Sequence, residues 1–159
     1  MPGPACWTAS TAPWRRWASS EIVTDDAIDF SAVSVEERIE VSADDLTRLL
    51  TPAVERINVA RCTSLTSIAA PNLTKLDVTR CHCLTSVGSC PLLTELNMTF
   101  CTNLTDASVK AKPKLAILRA SCCWKLPDEG VEAVAGACLT LQDLAGCDKL
   151  TAASVRADA

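Results

Sequence analysis

Ten cysteines and a single histidine, His82, are the residues of this 159-residue chain best suited to chemistry. Thiols can attack as nucleophiles, hold zinc, pair as disulfides, or fill small apolar sites. The densest cluster is Cys81-His82-Cys83, with Cys101 and Cys123 further along, a set of soft ligands of the kind zinc takes. Zinc needs four ligands converging on one point at about 2.0 to 2.3 Å, whereas a regularly spaced series forms a column. His82 has no nucleophile at a motif spacing, and the five glycines are scattered, so no phosphate-cradling loop forms. Asp128 and Glu129 read as helix-start acids that complement the helix dipole rather than as a catalytic pair. No catalytic residues, cofactor or metal site are therefore assigned, and the chain is expected not to be an enzyme.

The spacing of the cysteines is more informative than their chemistry. Aligned on Cys81, the preceding residues are Leu73, Leu76 and Val78, and Leu84 follows. The same pattern, L-x-x-L-x-L-x-x-C-x-x-L, gives Val54, Ile57, Val59, Cys62 and Leu65 before it, and Leu93, Leu96, Met98, Cys101 and Leu104 after it. Leu115, Leu118, Ala120, Cys123 and Leu126 follow, then Leu139, Gln142, Leu144, Cys147 and Leu150. Successive ruler cysteines lie 19, 20, 22 and 24 residues apart. Alternation within each x-L-x-L-x piece points Ile57/Val59 and their counterparts inward as a column of short parallel strands. One such rung cannot cover its apolar face, so the rungs must stack into a solenoid with protected ends.

This geometry assigns the ruler thiols to the core, each at the turn after its strand and in reach of neighbouring backbone carbonyls. Equivalent positions on adjacent strands lie about 4.8 Å apart with parallel side chains, whereas a disulfide needs converging β-carbons at about 3.8 Å. Redox or metal roles stay open only for the off-ruler thiols Cys6, Cys83, Cys90, Cys122 and Cys138.

The stretches LTKLDVTRCHCLTSV, LTELNMTFCTNLTD and LPDEGVEAVAGACLTLQDLAGCDKLT resemble the leucine-rich repeat family, in particular its cysteine-containing, F-box-like subclass. The likeness covers residues 54–151. It implies an α/β leucine-rich-repeat solenoid: a short curved parallel sheet of about five to six rungs, with loops or short helices on the convex side. It also implies a protein partner bound on the exposed strand face, and, through the subclass, a substrate-receptor role in a ubiquitin ligase. No F-box is recognisable in residues 1–53.

Three segments follow. Residues 1–30 form an extension bearing Trp7, Trp14 and Trp17, expected to pack over the end of the domain or to anchor a partner. Residues 31–53 form an acidic cap, with Ile39 and Val41 as a degenerate first rung and Ser42 and Asp45 as a capping box for a helix through Leu46, Leu49 and Leu50. Residues 54–159 form the repeat domain. Asp128 is placed as a helix N-cap, with Val131, Val134, Ala135 and Cys138 at helical spacing.

Charge is segregated along the chain. Residues 21–45 hold nine acids against Arg38 alone, whereas residues 54–126 hold nine Lys or Arg against four acids. Outward strand positions supply the candidate partner-binding residues Arg56, Asn58, Lys75, Asp77, Glu95, Asn97 and Arg119. A second line beside the cysteines adds Arg61, Arg80 and Phe100. Arginine and aromatic anchors are what interfaces favour. The expected function is a non-catalytic interaction module for a protein partner, with a structural subunit of a ribonucleoprotein or mitochondrial assembly as a further alternative. Few aromatics lie on the strand face, which argues against single-stranded nucleic acid. No apolar run reaches the roughly 18 residues of a membrane helix, and abundant thiols favour a reducing compartment, cytoplasm or nucleus before mitochondrion.

Overall fold

A computed structural model describes residues 13–18, 21–105, 112–129, 131 and 140–151. The strands are β1 (Ala27–Asp29), β2 (Arg56–Asn58), β3 (Ser67–Ile68), β4 (Lys75–Asp77), β5 (Ser86–Val87), β6 (Glu95–Asn97), β7 (Ile117–Arg119) and β8 (Leu141–Asp143). Six of them form one parallel sheet in the order β1-β2-β4-β6-β7-β8. The register pairs Ile57 with Leu76, Leu76 with Leu96, Leu96 with Leu118 and Leu118 with Gln142. Every rung thus stacks on the position that the cysteine ruler assigns to it. The returning chain forms a second parallel pair, β3 with β5, on the opposite side of the core.

The core is one continuous column of inward residues with the ruler leucines and cysteines, almost all inaccessible to solvent. Burying each rung's leucines removes their apolar surface from water, at about 25 cal/mol per Å². The polar backbone entering the same core must be satisfied as well. Threonine hydroxyls at the strand starts contribute to this: Thr74 donates to Glu55 O, Thr94 to Thr74 O and Thr140 to Ala116 O. Among the described residues one cation is also buried. Lys112, 4% exposed, stands in the column of Ala70 and Cys90 and donates to Val87 O and Gly88 O at 3.1 and 3.3 Å. Burial lowers its pKa.

The first rung differs from the one expected. Ile39 is exposed at the C-cap of α2 (Val35–Arg38), and Val41 is buried but in no strand. The rung preceding β2 is β1, which pairs Ile28 with Ile57 and places Phe30 and Val33 in the slots of Val59 and Cys62. The reason is chain path: two short helices, α2 and α3 (Ala43–Leu49), fill the return between β1 and β2, so this rung is longer than the others. Its Asp25 and Val33 replace the first leucine and the ruler cysteine, which hides it from the pattern.

The capping box at Ser42 is present. The Ser42 hydroxyl accepts from Asp45 N while the Asp45 carboxylate accepts from Ser42 N, and Leu46 and Leu49 turn into the core. In α1 (Pro13–Ala18), Trp17 is buried edge-on to Phe30, with ring centroids 5.2 Å apart. Part of the extension therefore packs over the end of the solenoid. Trp7, Cys6, Val134, Ala135 and Cys138 lie outside the described residues. Asp128 begins a helical stretch, but its carboxylate also reaches across to Thr151, accepting from N at 2.8 Å and Oγ1 at 2.6 Å.

Candidate functional site, the strand face and its turn edge

Ruler thiols close the interior behind the site. Cys81 Sγ donates to Val59 O, Cys101 Sγ to Val78 O, Cys123 Sγ to Met98 O and Cys147 Sγ to Ala120 O, at 2.9 to 3.1 Å. Each cysteine thereby ties its rung to the one before. Desolvation pushes Cys62, Cys81 and Cys123 from the usual 9.0 up to about 12 and raises Cys101 and Cys147 as well. A buried neutral thiol is a poor nucleophile and metal ligand, because the thiolate does that chemistry. Iodoacetamide at about pH 8 is therefore expected to label Cys83 quickly and half-buried Cys122 more slowly. Buried Cys62, Cys81, Cys90, Cys101, Cys123 and Cys147 should be spared until the protein unfolds. Peptide mass spectrometry checks the order; a ruler cysteine labelled as fast as Cys83 would contradict it.

In front of the core the strand face forms an open groove of about 480 Å³. It gathers seven of the ten sequence candidates: Arg56, Asn58, Lys75, Asp77, Glu95, Asn97 and Arg119. Asp29, Ala27, Thr24 and Glu21, from the rung that the pattern does not reveal, complete its N-terminal end.

Much of this face is internally paired. Arg56 meets Asp26 at 2.7 Å and Lys75 meets Glu95 at 2.6 Å, both exposed pairs that solvent screens and that add little to stability. Hydrogen bonds from Thr24 and then from Arg56 hold the Asp26 carboxyl below its ordinary pKa. The lateral row Asp29, Asn58, Asp77, Asn97, Asp143 has a backbone duty that its polarity alone does not reveal. Each Oδ1 accepts from the N–H two residues on, at Ser31, Ala60, Thr79, Thr99 and Ala145. These Asx contacts launch the turn after five of the six strands of the main sheet; β7 ends instead on Arg119.

Arg61, Arg80 and Phe100 lie outside the groove, on the edge made by those turns. Each turn has a hydrogen bond from the ruler cysteine's N–H to the carbonyl three residues back: Cys62 to Val59, Cys81 to Val78, Cys101 to Met98, Cys123 to Ala120, Cys147 to Leu144. The residue just before the cysteine has positive φ: Arg61 69°, Arg80 62°, Phe100 61°, Cys122 59° and Gly146 70°. This is the type II pattern, whose third residue is best filled by glycine. Only the last rung complies; the other four residues each carry a cost of order 1 kcal/mol. The Arg80 guanidinium lies over the Phe100 ring, 5.2 Å from its centroid. Cys122 continues the edge, and the half-exposed Trp124 follows two residues later, in the column of Thr63, His82 and Thr102; neither is among the sequence candidates. The glycine at the same place in the last rung is the signal that would have revealed this turn type.

A parallel sheet built from stacked rungs, with buried thiol-to-carbonyl links and an open groove on its strand face, defines a repeat solenoid. Residues 69–88 and 89–111 each match the Leucine Rich repeat family model, and the two matches cover the rungs of Cys81 and Cys101. The fold is that of a leucine-rich-repeat α/β solenoid, a class that generally mediates protein–protein interaction and is typically non-catalytic. A comparison with curated proteins finds no match.

Proposed function

We propose that the chain is a non-catalytic module that binds a protein partner through the exposed strand face. The observation that carries this reading is the groove itself, in which seven outward side chains from four adjacent strands share one concavity of both charges. Solenoids offer such a face as an extended binding surface. Charge reversal at Arg56 and Lys75 together is expected to cut partner capture from extract by about tenfold while the circular dichroism spectrum stays unchanged. Capture that survives the double reversal would sink the strand-face reading.

A second reading draws on the cysteine links. A buried thiol in each of five rungs, four of them bonded to the preceding rung, is the feature behind the resemblance to the F-box-like subclass, and it supports a substrate-receptor role in a ubiquitin ligase with recruitment through a separate subunit. Co-purification with cullin components tests it, and their absence from a stable complex would dispose of it. With both readings goes the proposal of a reducing compartment, cytoplasm or nucleus, where unpaired thiols persist.

A further inference from the structure

We propose that the turn edge reads carboxylates: it takes an extended acidic segment of the protein partner, with two acids on Arg61 and Arg80 and an apolar side chain against Phe100 and Trp124. This rests on the protein-partner reading above and names the chemistry of one of the partner's segments.

Three observations converge. The first is unspent hydrogen-bonding capacity. Arg56 and Lys75 in the groove are tied to Asp26 and Glu95, whereas the exposed guanidiniums of Arg61 and Arg80 make no hydrogen bond or ion pair with the described residues. An arginine fork carries five N–H donors matched to the two oxygens of a carboxylate.

The second is preorganisation. Arg80 is stacked on Phe100, so part of its rotamer freedom is already lost before a ligand arrives. The third is position. Both arginines occupy a left-handed turn site that glycine would fill without strain, as Gly146 does one end of the solenoid away. They therefore project from the rim at turn sites whose backbone does not require them, and Arg80 uses its side chain only in the stack on Phe100.

Spacing selects the ligand. Adjacent rungs are about 4.8 Å apart, and arginine stems are long enough to reach the roughly 6.8 Å between side chains two residues apart on one face of an extended peptide. The next rungs present Phe100 (36% exposed), then Cys122 with Trp124 (51% exposed). The matching pattern is acid-x-acid-x-apolar. RNA fits less well, because a phosphate backbone carries a charge at every nucleotide and this edge offers only two guanidiniums before it turns aromatic at Phe100.

Fluorescence polarisation on the full chain tests this with three labelled probes: a Ser-rich decamer containing Glu-x-Glu-x-Leu, its Gln-x-Gln-x-Leu counterpart, and oligouridylate. The Glu decamer should bind about tenfold more tightly than the Gln decamer, more weakly in high salt, and more tightly than the oligonucleotide. Arg61→Gly with Arg80→Gly should lose that preference while melting no lower than the parent, since glycine relieves the turn. Arg56→Gln with Lys75→Gln should leave peptide affinity within about twofold. Equal binding of the two decamers, an unchanged preference in the double glycine variant, or tighter oligouridylate binding would each overturn the proposal. Peptide indifference alongside groove-dependent partner capture would sink this inference alone. Peptide binding without groove-dependent capture would sink the strand-face reading instead.

Discussion

Raising the pH from about 8 to about 10.5 is expected to unfold the protein cooperatively, with the loss of stability steepening above about pH 9. Cys62, Cys81, Cys101 and Cys123 are inaccessible to solvent, and burial raises the pKa of each, three of them to about 12. The unfolded chain releases these protons near 9.0, the folded chain holds them, and so the folded state binds more protons throughout the interval. Stability then falls as pH rises, the reverse of the salt-bridged carboxylate case. One pH unit above 9.0 each thiol costs on the order of 1 kcal/mol and the four together several, a large part of the stability of a small domain. Lys112 acts in the opposite direction: its lowered pKa means that stability is recovered as pH climbs toward 10.5, but it is a single group. No tyrosine titrates in this range, because the chain has none. Urea midpoints measured against pH check the slope. Cys101→Ser should flatten it by about one proton, and a flat profile from pH 8 to about 10.5 would contradict the buried-thiol account.

The second large effect is expected at Arg38. Its Nε donates to Val33 O at 2.7 Å and its Nη1 to Ala60 O at 3.2 Å, while Nη2 donates to Ser31 O. Those carbonyls belong to the turn after β1 and the turn after β2, so a single half-buried guanidinium closes the end of the solenoid and joins its first two rungs. Terminal rungs need such protection. Arg38→Met keeps much of the apolar stem but leaves three carbonyls without that donor, and should cost about 2 to 4 kcal/mol. Arg38→Lys should recover less than half of this, because an ammonium cannot span three acceptors in fork geometry. Urea denaturation with an unchanged m-value checks the size; a cost under about 0.5 kcal/mol would show that the cap is held by packing at Trp17, Phe30 and Leu46 instead.

Legibility in the sequence tracked how repetitive each feature is. Five rungs share one template, and the observed register follows it from Ile57 to Gln142. The thiol-to-carbonyl links follow from the same regularity, since a small donor at a fixed place in each rung meets the same acceptor. The β1 rung was hidden because two helices lengthen its return and Val33 takes the cysteine slot. Arg38 read as a stray base in an acidic stretch, because a cap is made once and leaves no period. In the groove, polarity pointed correctly to an outward, half-buried row at Asn58, Asp77 and Asn97. It did not reveal that these side chains also hold the turns. The turn edge was half legible: Arg61, Arg80 and Phe100 stood out as a line, but their left-handed backbone and the continuation to Trp124 depend on the turn type.

Position-resolved photo-crosslinking tests the central claim most directly. With p-benzoylphenylalanine in place of Lys75 on the strand face, or of Ser86 on the exposed return side, irradiation in native extract followed by mass spectrometry reads which side meets a protein. Adducts to one and the same protein from position 75, and none from position 86, are the predicted result. Adducts from position 86 with none from position 75 would contradict the strand-face account.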